Sequence, residues 1–147
     1  MHALSDNDRR FLESFEACTI PPGEFTHRAH LRLAYVHLAQ CEVDAALQGM
    51  RQSISRFLAH HGVNPAKYHE TLTRAWLMAV RHFMDRAGST ASADEFLSKS
   101  GPLLDANVML THYSRETLFS PAARTSFVEP DLDPIPQHRP HAATGAN

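Results

Sequence analysis

Apolar residues recur along most of this chain at intervals of three and four, the period that turns one face of an α-helix toward a core. Phe11, Leu12 and Phe15 begin the pattern. They follow Ser5 as an N-cap and an Asp6-Asn7-Asp8 first turn, where capping and the helix dipole both favour an acid. Pro21-Pro22-Gly23 closes that helix. Thr26 caps a second helix to about Ala39, with Leu31, Leu33, Ala34, Tyr35 and Leu38 as its apolar positions. Asp44 is read as the cap of a third, whose stripe is Leu47, Met50, Ile54, Phe57 and Leu58 and whose stop is Gly62. Asn64-Pro65 predicts the start of the fourth and longest helix, running to about Arg86 with Gly88 just beyond.

Further along, Ser92-Ala93-Asp94-Glu95 matches a capping box and opens a short fifth helix that Gly101-Pro102 breaks. Leu103, Leu104, Val108 and Leu110 suggest another short helix, and Ser120-Pro121 starts a last turn or two. No run alternates with period two for long enough to be a strand, and neither a repeat nor a linker divides the chain. The expectation is an all-α, single-domain helical bundle of about five to seven helices, centred on the second and fourth. The helical domain is placed at residues 1–131 and a Pro-rich C-terminal strap runs into a loose tail at 132–147.

Composition narrows the function. A chain of 147 residues, 43% hydrophobic and 20% charged, is large enough to close its own core. Lys plus Arg is 14 against 16 acids, a formal charge of −2, so no phosphate-neutralising excess exists and nucleic acid is not the expected partner. Apolar runs fall well short of the roughly 20 residues of a membrane span. Met1-His2-Ala3-Leu4-Ser5-Asp6 is not a basic-then-apolar leader, so the expected location is cytoplasmic, with Cys18 and Cys41 as reduced thiols. The chain holds 11 histidines, which therefore have to be sorted by position.

His27 and His30 stand three residues apart at the start of the second helix, about 60° apart around its axis. His37 falls on the same side two turns on. His69 heads a stripe through Leu72, Trp76, Val80 and Phe83, with Thr73 one turn from it. A buried imidazole left unpaired costs about 1–3 kcal/mol, so these rings need partners. If the second and fourth helices pack side by side, three imidazoles meet. One reading is a metal centre of His27, His30 and His69 holding a divalent transition metal (Zn, Fe, Cu or Ni) with an open position. The metal would then activate water or oxygen, or polarise a small substrate. Glu70 is the proton-transfer candidate in that reading and Arg74 the anion contact, with Tyr68 and Thr73 hydrogen-bonding around the bound group. A second reading is a non-catalytic module in which the histidines form a structural hydrogen-bond network and the outer surface takes a partner protein. A third is a metal-free small-molecule binder using the same pocket. Glu70 and Arg74 are also an i, i+4 pair on the opposite, polar face. His60-His61 fits a helix C-terminus, His82 a boundary position, and His138 and His141 fall in the tail.

Four segments carry a resemblance: Phe25-Thr26-His27-Arg28-Ala29-His30-Leu31, Tyr68-His69-Glu70-Thr71-Leu72-Thr73, Tyr113-Ser114, and Ser120-Pro121-Ala122-Ala123-Arg124 with Val128-Glu129-Pro130-Asp131. Together they resemble a family of small bacterial all-helical proteins of uncharacterised activity. The resemblance implies that these stretches, from about Phe25 to Asp131, assemble into one region; it brings no reaction with it.

Overall fold

The structure, a computed structural model, describes residues 2–136. Among the described residues it is all α, with seven helices: α1 (Asp6–Glu16), α2 (His27–Leu38), α3 (Val43–His60), α4 (Glu70–Ala87), α5 (Ala93–Ser98), α6 (Arg115–Leu118) and α7 (Pro121–Thr125). Helices α2, α3 and α4 pack on one another as the centre, α1 lies across α2 and α3, α5 sits on α2, and α7 on α4. Short 3₁₀ turns at Pro22–Glu24, Pro65–Lys67, Gly101–Leu104 and Val108–Thr111 carry the chain between them. None of the helices is long and apolar enough to cross a membrane, among the described residues.

Most helix starts follow local chemistry. The hydroxyls of Ser5, Thr26, Ser92, Ser114 and Ser120 each accept from the backbone N–H three residues on, which satisfies an otherwise orphaned donor. Gly62 and Gly88 follow α3 and α4 with φ of +67° and +73°, the left-handed region where a side chain would be strained.

Two starts differ from the sequence expectation. Helix α3 begins at Val43 behind Glu42, so Asp44 lies inside the first turn, and its carboxylate is taken by Arg74 of α4 at 3.0 Å. Asn64-Pro65 builds only a 3₁₀ turn, with Asn64 Oδ1 accepting from Ala66 N. The backbone then runs extended through Tyr68 and His69, and α4 starts at Glu70 with His69 as its cap. The buried arc of α4 is accordingly rotated: Thr73, Leu77, Val80 and Met84 are in the core, while Leu72, Trp76 and Phe83 are half-buried at its edge.

The strap is held by side chains of three earlier segments. Thr71 Oγ1 donates to the Ser126 carbonyl at 3.0 Å and accepts from Val128 N at 3.1 Å. Tyr113 donates to the Val128 carbonyl at 2.6 Å. Asp131 accepts from both the backbone N–H and the hydroxyl of Ser114 and from Thr117. Packing continues past the expected boundary at 131, since Leu132 N donates to the His112 carbonyl and Ile135 is only 3% exposed. His138 and His141 lie outside the described residues.

Candidate functional site

A cavity of about 430 Å³ opens where the N-terminal ends of α2 and α4 meet the segment 106–119. Phe25, His27 and His30 form one side, and Tyr68, His69, Leu72, Thr73 and Trp76 the other. Met109, Leu110 and Leu118 close the far wall, and Phe119 lies at the exposed opening. The two histidine-bearing segments are thus brought together, because α2 and α4 are in direct contact and each presents its first turn at the same end.

The three imidazoles are held differently. His69 Nδ1 accepts from Leu72 N at 3.1 Å, which caps α4, so its proton is on Nε2, which donates to the Leu118 carbonyl at 2.7 Å. Both nitrogens are spent on backbone. Burial, with Arg124 nearby, holds this ring below its ordinary pKa and therefore neutral. His27 Nε2 lies 2.9 Å from the Leu103 carbonyl, an acceptor only, so Nε2 is the donor, and Nδ1 has no hydrogen-bond partner among the described residues. The His27 ring meets Trp76 edge-on at 4.7 Å. His30 stacks on Phe25 at 4.2 Å and makes no side-chain hydrogen bond among the described residues. Burial, and then neighbouring His27, push its pKa down to about 4.

Tyr68 and Thr73 line the cavity, as expected. Tyr68 donates to Glu70 at 2.7 Å; burial and that bond raise its phenol to about 12, so it stays a protonated donor. Glu70 and Arg74 are elsewhere. Arg51 of α3 grips the Glu70 carboxylate through two bonds of 3.1 and 2.6 Å, which holds it below the ordinary carboxylate pKa. Arg74 pairs with Asp44 and lies over the Phe127 ring; with Glu70 it makes no salt bridge, though its charge adds to the lowering of that carboxylate's pKa. Neither Glu70 nor Arg74 borders the cavity. His37 is also apart, packed against Gly49 of α3, and His112 Nδ1 bonds the Asp133 carbonyl.

For a three-imidazole metal centre this geometry has one cost: His69 would have to surrender either the cap of α4 or its link to Leu118. Among the described residues, no group of three or more His, Cys, Asp or Glu is arranged to hold a metal ion. Lys67 and Arg115, both exposed residues on the cavity rim, and the apolar far wall are site features that no periodicity or motif in the chain marks. Lys67 stands directly before the Tyr68-His69 motif and Arg115 directly after Tyr113-Ser114. That adjacency was the available signal. The chain matches no protein-family model, no curated protein and no solved structure.

Proposed function

We propose that the protein binds a small organic molecule in this cavity, with the apolar walls taking its body and imidazole nitrogens meeting a polar group. One observation carries the reading. His27 Nδ1 and both His30 ring nitrogens are without hydrogen-bond partners among the described residues and belong to two side chains that line a largely apolar cavity of about 430 Å³. Ligand sites of this kind are concave, mostly apolar, supplied with a few polar groups, and commonly ~300–1,000 Å³. His37 and His61 also leave an Nε2 without a hydrogen bond among the described residues, but neither lines the cavity, so it is the combination of unspent nitrogens and cavity lining that singles out His27 and His30. Trp76 is the single tryptophan and lines the cavity, so its fluorescence reports occupancy directly. Screening a small-molecule library by thermal shift and Trp76 emission is expected to find compounds that change both. Ala106→Phe, on the exposed rim, is expected to abolish the response without unfolding the protein. A library that moves neither signal counts against the reading.

A second reading keeps a divalent transition metal in the same cavity, supported by the unspent nitrogens of His27 and His30. With two protein imidazoles, a bound substrate or water would have to complete the sphere. Elemental analysis of untagged protein separates the two: about one metal per chain, lost in His27→Ala, supports the metal reading. Ligand stabilisation of metal-free protein supports the first.

A further inference from the structure

We infer that the ligand of this cavity is an amphipathic anion, its carboxylate or comparable acidic head held at the mouth by Lys67 and Arg115 and its hydrocarbon or aromatic body inside. The inference rests on the cavity being a small-molecule site and adds the class of molecule.

Exposed lining residues mark the opening: Lys67, Ala106, Asn107, Arg115 and Phe119 are exposed, whereas His69, Thr73, Met109 and Leu118 are buried. The two full cations of the lining are therefore both at the mouth, one arriving from the 3₁₀ turn before α4 and the other from α6. Neither Lys67 nor Arg115 takes part in an ion pair among the described residues. Arg32, Arg51, Arg74 and Arg81 each have a carboxylate partner, whereas among the described residues Lys67 and Arg115 share their lack of an ion pair with exposed Arg56 and Arg86 and differ from those in lining the cavity. The lining includes no Asp or Glu. Glu70, the carboxylate joined to Tyr68, is neutralised by Arg51 outside the cavity. Arg124 adds a third positive charge behind the same wall, donating to the Ala66 carbonyl next to Lys67 and also without a carboxylate partner among the described residues.

The charged side chains that line the opening are thus both cations, while the nearest acids, Asp105 (accepting from Asn107 N) and Glu116, stand outside the lining, an arrangement that favours an anion over an amine at the lining itself. Farther in, Leu72, Trp76, Met109, Leu110 and Leu118 offer a surface that only an apolar body would fill. Phe119, 51% exposed, sits at the boundary, where an aromatic ring covers the stem of a molecule whose head remains wet. Lys67 and Arg115 are long, flexible side chains, able to reach a head group at the rim while their own stems lie on apolar surface.

The test uses matched pairs that share a body and differ in the head: octanoate with 1-octanol, and 4-phenylbutyrate with 4-phenyl-1-butanol. Each is titrated into the 147-residue chain at low salt, with Trp76 emission as the readout. Acids are expected to bind about tenfold more tightly than their alcohols, from two charge-assisted contacts at an exposed rim. The advantage should shrink in 0.5 M salt, where the Debye length is about 4 Å against about 30 Å at 0.01 M. In Lys67→Gln/Arg115→Gln the acids should fall to the affinity that the alcohols have for the same variant, while its far-UV circular dichroism and urea midpoint match those of the unsubstituted chain and show that it is folded. Equal binding of acid and alcohol to the unsubstituted chain, or an acid preference that survives the double substitution, overturns the anion inference and leaves the cavity reading standing. If no member of either pair perturbs Trp76, both fall.

Discussion

At residue scale, the histidines of this protein divide by what their nitrogens touch, and that division makes predictions. His30 is kept neutral by burial, with a folded pKa of about 4 against an ordinary value near 6.5. The unfolded chain therefore takes up the proton first, so folding stability is intact above about pH 6.5 and declines as pH falls toward 4. The full loss is about 3 kcal/mol, from 1.36 kcal/mol per pKa unit. Chemical denaturation with chelator present, at pH 7.5 and 4.5, is expected to show a smaller drop for His30→Gln than for the unsubstituted protein. A second case is Gly49, inside α3. A Cβ there would lie 2.8 Å from His37 Cε1 and 2.9 Å from its Nδ1. Glycine to alanine in a helix normally gains close to 1 kcal/mol. Gly49→Ala should instead lose about 1–2 kcal/mol, because the ring must be displaced from a packed site. With His37→Ala in the background, the same substitution should become neutral or stabilising, a sign change readable by urea denaturation.

Elements are joined here by single polar side chains that hold several partners. Asp8, almost fully buried, completes the capping box of α1, accepts from Ala93 N at the start of α5, and pairs with Arg32 of α2 at 3.3 Å. Asp8→Ala leaves two backbone donors and a guanidinium without their acceptor, and should cost about 3 kcal/mol. Asp8→Asn, which keeps an acceptor oxygen, should cost less; equilibrium unfolding of both variants checks the order. Thr71 does the corresponding work for the strap, with its hydroxyl bonded to both Ser126 and Val128. Thr71→Val preserves shape but removes both bonds. Hydrogen exchange at residues 126–131 should then quicken, while amides of α3 stay protected. The same bonds explain why the motif stretches around Thr71, Tyr113 and Asp131, far apart in the chain, belong to one region: each holds the strap through a different partner.

For the molecule as a whole, occupancy of the cavity links three structural units, since its walls come from α2, from the start of α4 and from residues 106–119. A ligand held among them stabilises the native state by about 2.7 kcal/mol at a hundred times its Kd. For a domain of this size that corresponds to a rise of about 5–10 °C in Tm. The matched acid should reach that rise at a lower concentration than its alcohol. Scanning calorimetry with octanoate and 1-octanol measures the difference on the intact fold.

The all-helical class, the caps at Ser5, Thr26, Ser92 and Ser120, and the stops at Gly62 and Gly88 were legible along the chain, because capping, dihedral limits and apolar period are local properties. The meeting of the His27 and His69 segments was only conditional on the second and fourth helices packing side by side, and it is the contact of α2 with α4 that brings both to one cavity. The beginning of α4 was not legible. Asn64-Pro65 is a valid local start, but the bonds His69 makes to Leu72 and to Leu118, 49 residues away, keep Tyr68 and His69 extended and move the start to Glu70. Nor did spacing on one helix disclose that Glu70 belongs to Arg51 and Arg74 to Asp44, because each partner comes from α3. Which imidazole nitrogens are spent, and which cations stand unpaired at an apolar opening, depends on groups that only the folded chain sets side by side. Local free energies choose the helices; long-range pairing chooses the site.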